Sequence, residues 1–349
     1  VLIDEWQDAP GLWDAVRMAI DRQPGPGQYV LTGSSTPRDT VISHSGTGRI
    51  TRISMWPMTL TEAGMTDGRI SLANLLEGEN PATLAGQWLI SNIAEAIVRG
   101  GWPGTINLPL PEAVKIPGDY LRSVAYADAS IIDGVRRDPD RLTALLAALA
   151  RSTSTQVRDT TLARDMSSLD SPSTATKTVT TYLDVLRRLH VLKEIPAWTP
   201  ALRSPVRLRN SPKRILCDPS LAAAGMHATT DTVQADPKTL GLLFENLCLR
   251  DLSVYAQATG AEVFHYRDQT DLEVDAIVQC ADGRWAGIEI KLNASQEDTG
   301  ARSLLTLASK MTRAGEQPPV ALIVLTGTGG FAHRREDNVI AIPIDCLGP

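Results

Sequence analysis

Asp275, Glu289 and Lys291 are the residues of this chain best suited by type and spacing to do chemistry. Two carboxylates brought together by a sheet can hold Mg²⁺ or Mn²⁺ through oxygen, and the bound cation lowers the pKa of a water molecule. An ammonium beside them remains free to steady a phosphate or the attacking nucleophile. The implied chemistry is metal-assisted hydrolysis at a phosphate. The elements that must position these groups are three consecutive strands at residues 263–267, 272–278 and 285–292. Asp282-Gly283 supplies the hairpin signal between the second and the third. Side chains alternate along a strand, so Glu289 and Lys291 share one face while Ile288, Ile290 and Leu292 take the other. Burying such charges costs several kcal/mol unless they are paired or bound to metal. A metal site and an ordinary ion pair across the sheet both satisfy that demand.

These residues resemble the PD-(D/E)XK nuclease-like core. Asp275 matches its Asp, Glu289-Ile290-Lys291 its (D/E)XK element, and Glu245, in Leu243-Phe244-Glu245-Asn246, the acidic residue on the preceding helix. Val274 stands where the motif has Pro. The resemblance implies metal ligation by Glu245, Asp275 and Glu289, catalysis by Asp275, Glu289 and Lys291, and Mg²⁺ or Mn²⁺ as the cofactor.

At 349 residues the chain exceeds one typical core, so two or three domains are expected. Hydrophobic residues make up 43% and charged residues 21%, a globular balance, and no apolar run reaches the length of a membrane span. With no signal peptide before the first strand, a cytoplasmic protein without a membrane partner is expected. The cysteines lie far apart with no C-x-x-C, and the scattered histidines offer no ligand spacing, which argues against a disulfide framework and a zinc site. A net charge of -6 gives no overall attraction to nucleic acid, so DNA binding requires a local basic patch.

The chain opens on Val1-Leu2-Ile3-Asp4-Glu5, an apolar strand ending in two carboxylates, the form of a Walker B strand. In phosphate-handling ATPases the Asp orients Mg²⁺ and the Glu polarises the attacking water, which makes Asp4 the metal and nucleotide candidate and Glu5 the catalytic one. Tyr29-Val30-Leu31-Thr32-Gly33-Ser34-Ser35 reads as a second buried strand, with Ser34 placed where a sensor faces a γ-phosphate. Further on come Gly48-Arg49-Ile50, Trp56-Pro57-Met58-Thr59-Leu60-Thr61-Glu62, Gly100-Gly101-Trp102-Pro103 and Phe244-Glu245-Asn246. In this order, and with the C-terminal carboxylates, the pieces resemble a prokaryotic AAA-type ATPase family that carries a C-terminal domain of unknown function. The resemblance covers nearly the whole chain and makes Arg49 an arginine-finger candidate by position, although a surface or structural Arg is the plainer reading. No G-x-x-x-x-G-K-[ST] occurs, so the loop that cradles phosphates is absent from this sequence. Val1 opens inside a strand, an N-terminally incomplete chain is expected, and ATP binding is expected only with the missing part.

Residues 72–99 have helical spacing until Gly100-Gly101-Trp102-Pro103 stops it. Helices are expected at 141–151 and 160–166, and a third runs from Ser171-Pro172 to about His190. Strands at 191–195 and 214–216 complete the order of a winged helix-turn-helix. Its third helix carries Lys177 near its start, and Arg203, Arg207, Arg209 and Lys213 cluster in the wing. A basic cluster in an acidic chain is the footprint of phosphate contacts with DNA, and a solvated hairpin docked on a partner gives the same pattern.

The expected fold class is therefore α/β. It comprises a partial P-loop ATPase sheet over 1–65, a helical region over 66–136, a winged helix-turn-helix over 137–225 and a restriction-endonuclease-like mixed α/β core over 226–349. The expected function is that of an AAA-type ATPase family protein with DNA as partner and metal-dependent phosphodiester hydrolysis. The alternative is a non-catalytic module that binds DNA or protein through a degenerate nuclease fold, and a homo-oligomer or protein partner is compatible with either. The two part on whether Glu245, Asp275, Glu289 and Lys291 converge on one point.

Overall fold

Leu2–Ile3 (β1) and Val30–Leu31 (β2) pair in parallel, Leu2 opposite Val30 and Ile3 opposite Leu31. A parallel pair needs a crossover, and helix α1 (Gly11–Arg22) supplies it while burying Trp13 and Val16. Trp6 packs on Trp13 with ring centroids 4.9 Å apart, which closes this small α/β unit. The computed structural model describes residues 1–36, 48–132, 134–167, 175–200 and 211–349.

The expected helical region also contributes two short strands. Ile70–Ser71 (β3) leads into α2 (Leu72–Leu76), with Ser71 accepting the Asn74 N–H as N-cap, and Thr83–Leu84 (β4) precedes α3 (Ile90–Arg99). Then come α4 (Pro139–Arg151), α5 (Asp159–Met166) and α6 (Thr176–Arg188). Leu192–Ile195 (β5) and Lys213–Leu216 (β6) follow as an antiparallel pair. Three helices and a ribbon appear in the expected order, while Ser171 and Pro172 lie outside the described residues. Helix α7 (Pro219–Gly225) starts on Asp218, whose carboxylate accepts the Ser220 N–H.

The C-terminal core begins with α8 (Pro237–Thr259). Asp236 caps it with Pro237 at its first position, and Gly260 ends it at a φ of 71°, where a Cβ would be strained. Strands β7 (Glu262–Arg267), β8 (Glu273–Gln279) and β9 (Trp285–Lys291) then form an antiparallel meander, the expected three strands in the expected order. Helix α9 (Glu297–Arg313) crosses over to β10 (Ala321–Thr326), which lies parallel to β9. The loop at 327–330, β11 (Phe331–Arg334), β12 (Ile340–Pro343) and β13 (Leu347–Gly348) finish the chain.

Seven strands make one mixed sheet in the order β4-β11-β12-β10-β9-β8-β7, and β1-β2 stays a sheet of its own. On one face of the large sheet Leu240, Leu243, Phe244 and Leu247 of α8 meet Ala276, Val278, Ile288, Ile290 and Ile323. On the other, Leu304, Leu307 and Met311 of α9 meet Phe264, Ile277, Trp285 and Val324. Each fully buried large side chain contributes about 1.5–3 kcal/mol, so these two layers hold the sheet. Residues outside the core join it twice: β4 pairs with β11 as one edge of the large sheet, and β3 pairs with β13 in a separate two-stranded sheet. Among the described residues no helix is long and apolar enough to cross a membrane.

Candidate active site

Alternation along β9 places Ile288 and Ile290 in the layer under α8 and Glu289 opposite them, as read from the sequence. Glu289 can lie flat there because Gly300 of α9 has no side chain: a Cβ on it would stand 3.2 Å from the Glu289 Cβ. Asp275, on the neighbouring strand, accepts the Ile290 N–H at 2.8 Å through Oδ2 and takes the Lys291 ammonium at 3.4 Å on the same oxygen. Lys291 also donates to Glu289 Oε2. Glu245 approaches from α8, and its Oε1 lies 2.5 Å from the Lys213 Nζ. The same Nζ is 3.6 Å from Glu273 Oε1 and 3.8 Å from Asp275 Oδ1. Four elements thus bring Glu245, Asp275, Glu289, Lys291 and Lys213 to one place, with Asp275 in the middle.

Three carboxylates against two ammoniums leave one negative charge over, before Glu273, which it shares with Arg267 at 3.8 Å, is counted. Burial pushes the Glu245 carboxyl up to about 7, with Lys213 pulling against the rise and Asp275 adding to it. Burial and then Asp275 push Glu289 up as well, against the Lys291 ammonium. Burial works to lower Lys213, yet Glu245 and Asp275 hold it well above its usual value, so it stays charged. Among the described residues no three His, Cys, Asp or Glu side chains stand as a ready-made metal cluster. Here the carboxylates are linked through the two ammoniums.

Lys213 is a correction to the sequence reading. Expected on a wing facing DNA phosphates, its side chain is 1% exposed and turned into the carboxylates, because β6 packs against Glu245 of α8 and both faces of the strand are covered. Its neighbour Arg214 turns to Asp159 at 2.7 Å and Glu194 at 3.1 Å and is also buried. Lys177 is exposed on the first turn of α6. Arg203, Arg207 and Arg209 lie outside the described residues.

At the other end of the chain, Asp4, Glu5 and Ser34 sit together where β1 and β2 leave the sheet. Glu5, at a φ of 47°, accepts from the Ser34 N–H at 3.3 Å and Ser34 Oγ at 3.0 Å, and from Gln7. Hydrogen bonds from Gln7 and Ser34 lower its pKa, so it is an ionised carboxylate. Thr32 donates to Asp4. The Arg49 guanidinium pairs with Asp21 at the end of α1, which occupies it away from the Asp4–Glu5 pair.

Sequence reasoning missed a second charged centre. Arg250 is buried, with Nη1 2.8 Å from Asp218 Oδ2 and Nη2 2.7 Å from Asp251 Oδ1. Asp251 accepts the Leu60 N–H and Asp218 the Gly101 N–H, each at 3.0 Å. Gly101 also receives the Met58 N–H at 2.7 Å, and a Cβ at Gly101 would collide with the Met58 backbone. The stretches at 56–62 and 100–103, quoted above only as pieces of a pattern, are therefore the segments that close on Arg250. A legible signal existed: Arg250-Asp251 interrupts Leu247-Cys248-Leu249 and Leu252 in a helix apolar on every side.

Family models match three successive stretches of the chain: an AAA domain over residues 1–64, a domain of unknown function (DUF8612) over 90–232, and a domain of unknown function (DUF4143) over 240–347. Two uncharacterized proteins, Mb2031c of Mycobacterium bovis and Rv2008c of Mycobacterium tuberculosis, are each 26% identical over 356 residues, which takes in 99% of this chain and 68% of theirs. No solved structure matches at the same stringency. The matches support an AAA-type family in which the AAA domain is followed by a C-terminal domain of unknown function. Asp4, Glu5 and Ser34 fall in the first stretch, Lys213 in the second, and Glu245, Asp275, Glu289 and Lys291 in the third.

Proposed function

We propose that the C-terminal core is nuclease-like, that Glu245, Asp275 and Glu289 hold Mg²⁺ or Mn²⁺, and that Lys291 assists phosphodiester hydrolysis. What carries the reading is the convergence on Asp275 of a helix glutamate, a strand Glu-x-Lys pair and their ammoniums. The donor set suits a hard cation: its atoms are carboxylate oxygens, and a cation, the Lys213 ammonium, already sits among them. A divalent ion bound there supplies an activated water and charge for a phosphate oxygen. The chain's own part is electrostatic. Lys291, steadied by Asp275 and Glu289, offers its ammonium to the charge that builds on phosphorus oxygens as water adds and the ester P–O bond breaks. The released alkoxide then takes a proton.

Asp4, Glu5 and Ser34 are the groups this chain contributes toward nucleotide and Mg²⁺ in the AAA-like part. The sequence carries no G-x-x-x-x-G-K-[ST] loop to cradle the phosphates beside them. Lys177, with Arg203, Arg207 and Arg209, is proposed to touch DNA phosphates from a winged helix formed by α4–α6 and β5–β6, the support being three helices followed by an antiparallel ribbon.

The test is nicking of supercoiled plasmid in millimolar Mn²⁺. Cleavage by the wild type should vanish in Asp275→Ala and Lys291→Ala. If wild type and Asp275→Ala are alike both in cleavage and in the Mn²⁺ response of the thermal midpoint, the nuclease reading falls. One observation favours the non-catalytic alternative: the two ammoniums already satisfy most of the buried negative charge, so a folded core needs no metal.

A further inference from the structure

Lys213 does not belong to the core whose carboxylates it binds. It comes from β6, within the stretch 90–232, and reaches into the cleft of the stretch 240–347. Its strand is fastened on the other side. Arg214, the next residue, pairs with Asp159 of α5 and Glu194 of β5, and Lys213 itself stands opposite Ile195. The ammonium is therefore delivered at a fixed place by the helical segment, with no freedom to swing into solvent while that segment is docked.

The place matters because of what Asp275 has left to offer. Its Oδ2 is taken by the Ile290 N–H and Lys291, and the Oδ1 is the oxygen facing Lys213. Glu245 offers its Oε1 to the same ammonium. A cation bridging Glu245 Oε1 and Asp275 Oδ1 would use the oxygens that Lys213 now uses, and two positive charges side by side in a buried cleft repel strongly.

We propose that Lys213 is a tethered competitor for the divalent cation, so that the cleft loads metal only when the β5–β6 ribbon withdraws the ammonium from Glu245 and Asp275. This rests on the reading of Glu245, Asp275 and Glu289 as a cation site. It makes loading a function of how the helical segment is seated, and anything that moves that segment would shift it.

The experiment compares Mn²⁺ binding by calorimetry in the full chain for the wild type, Lys213→Met, Lys213→Arg and Asp275→Ala. Lys213→Met should bind Mn²⁺ at least about tenfold more tightly than the wild type, Lys213→Arg no more tightly than the wild type, and Asp275→Ala not measurably. Because Lys213→Met leaves Glu245 without its partner and could fold poorly, a second measurement uses the wild type alone. An amine-acylating reagent, followed by peptide mapping, should leave Lys213 unmodified in EDTA and modify it once Mn²⁺ is added. If the wild type binds Mn²⁺ through Asp275, Lys213→Met gains nothing and Lys213 labelling is indifferent to Mn²⁺, the competition is overturned and the cation site stands. If neither the wild type nor a folded Lys213→Met binds Mn²⁺, the cation site itself is wrong and the competition falls with it.

Discussion

Replacing Arg250 by Met should be among the most damaging single changes in this chain. Met keeps most of the volume of the aliphatic stem and removes the guanidinium, so the loss isolates charge. Two carboxylates then remain, Asp218 at 0% exposure and Asp251 at 1%, each still holding a backbone N–H. Removing one partner of a buried pair costs about 3–5 kcal/mol. The ceiling is set by protonation, since an abandoned carboxyl can take up a proton: from a reference pKa near 3.9 that costs about 4 kcal/mol at pH 7 and about 1.5 kcal/mol at pH 5. The sign follows from linkage. Burial already raises the Asp251 carboxyl against the pull of Arg250, and without the guanidinium that rise grows, so the folded state holds more protons and stability falls as pH rises through that window. Urea unfolding followed by tryptophan fluorescence should therefore show a loss of about 3–4 kcal/mol at pH 7 and about 1.5 kcal/mol at pH 5. A loss under about 1 kcal/mol at pH 7, or one indifferent to pH, would show that Arg250 does not hold these segments together.

Other consequences can be checked with the same protein. His265 is fully buried and its pKa is pushed down to about 4 by burial, with Lys213 adding to the effect, so the unfolded chain takes a proton that the folded one refuses. Stability should fall by up to ~3 kcal/mol as pH drops from about 6.5 to about 4, and an equal slope in His265→Gln would refute this. Changing Lys177, Arg203, Arg207 and Arg209 to Glu should weaken duplex DNA binding and flatten its salt dependence by about one unit per lost phosphate contact, whereas unchanged binding would remove these residues from the interface. Labelled ATP with Mg²⁺ should show no micromolar binding to this chain, and saturation in that range would mean a substitute phosphate loop exists.

What was legible in the sequence was local. The period-two alternation of β9 and the Asp-Gly hairpin depend on near neighbours, and each appears where the residues place it. Glu289 and Lys291 share a face for the same reason. Lys213 was misread because its setting is not local. Beside Arg203, Arg207 and Arg209 it looks like one more solvated cation, and only Glu245, which lies on another element, turns it into a buried one. Asp218-Pro219 is a helix start whose carboxylate also serves Gly101 and Arg250. The conformational preference of Asp-Pro marks such a boundary and says nothing of the charge.

Helix α8 gives these two centres a common frame. Glu245 and Arg250 are five residues apart, about 7.5 Å along the axis, so one rigid element carries a candidate cation ligand and the anchor for residues 58–60 and 101. One turn further, Tyr255 binds Thr61 at 2.9 Å, extending the same attachment. The segment it grips, residues 58–61, is the end of the AAA-like stretch itself, which matches as far as residue 64. A helix cannot shift at one of these points and remain in place at the others, because its hydrogen-bonded turns move together. Displacement of residues 58–62 therefore pulls on Asp251, and through α8 on the Glu245 carboxylate that faces Lys213. Whatever moves the end of the AAA-like part is tied through the Leu60–Asp251 hydrogen bond and helix α8 to the acidic cleft, and the cleft's own balance of carboxylates and ammoniums decides what that movement changes.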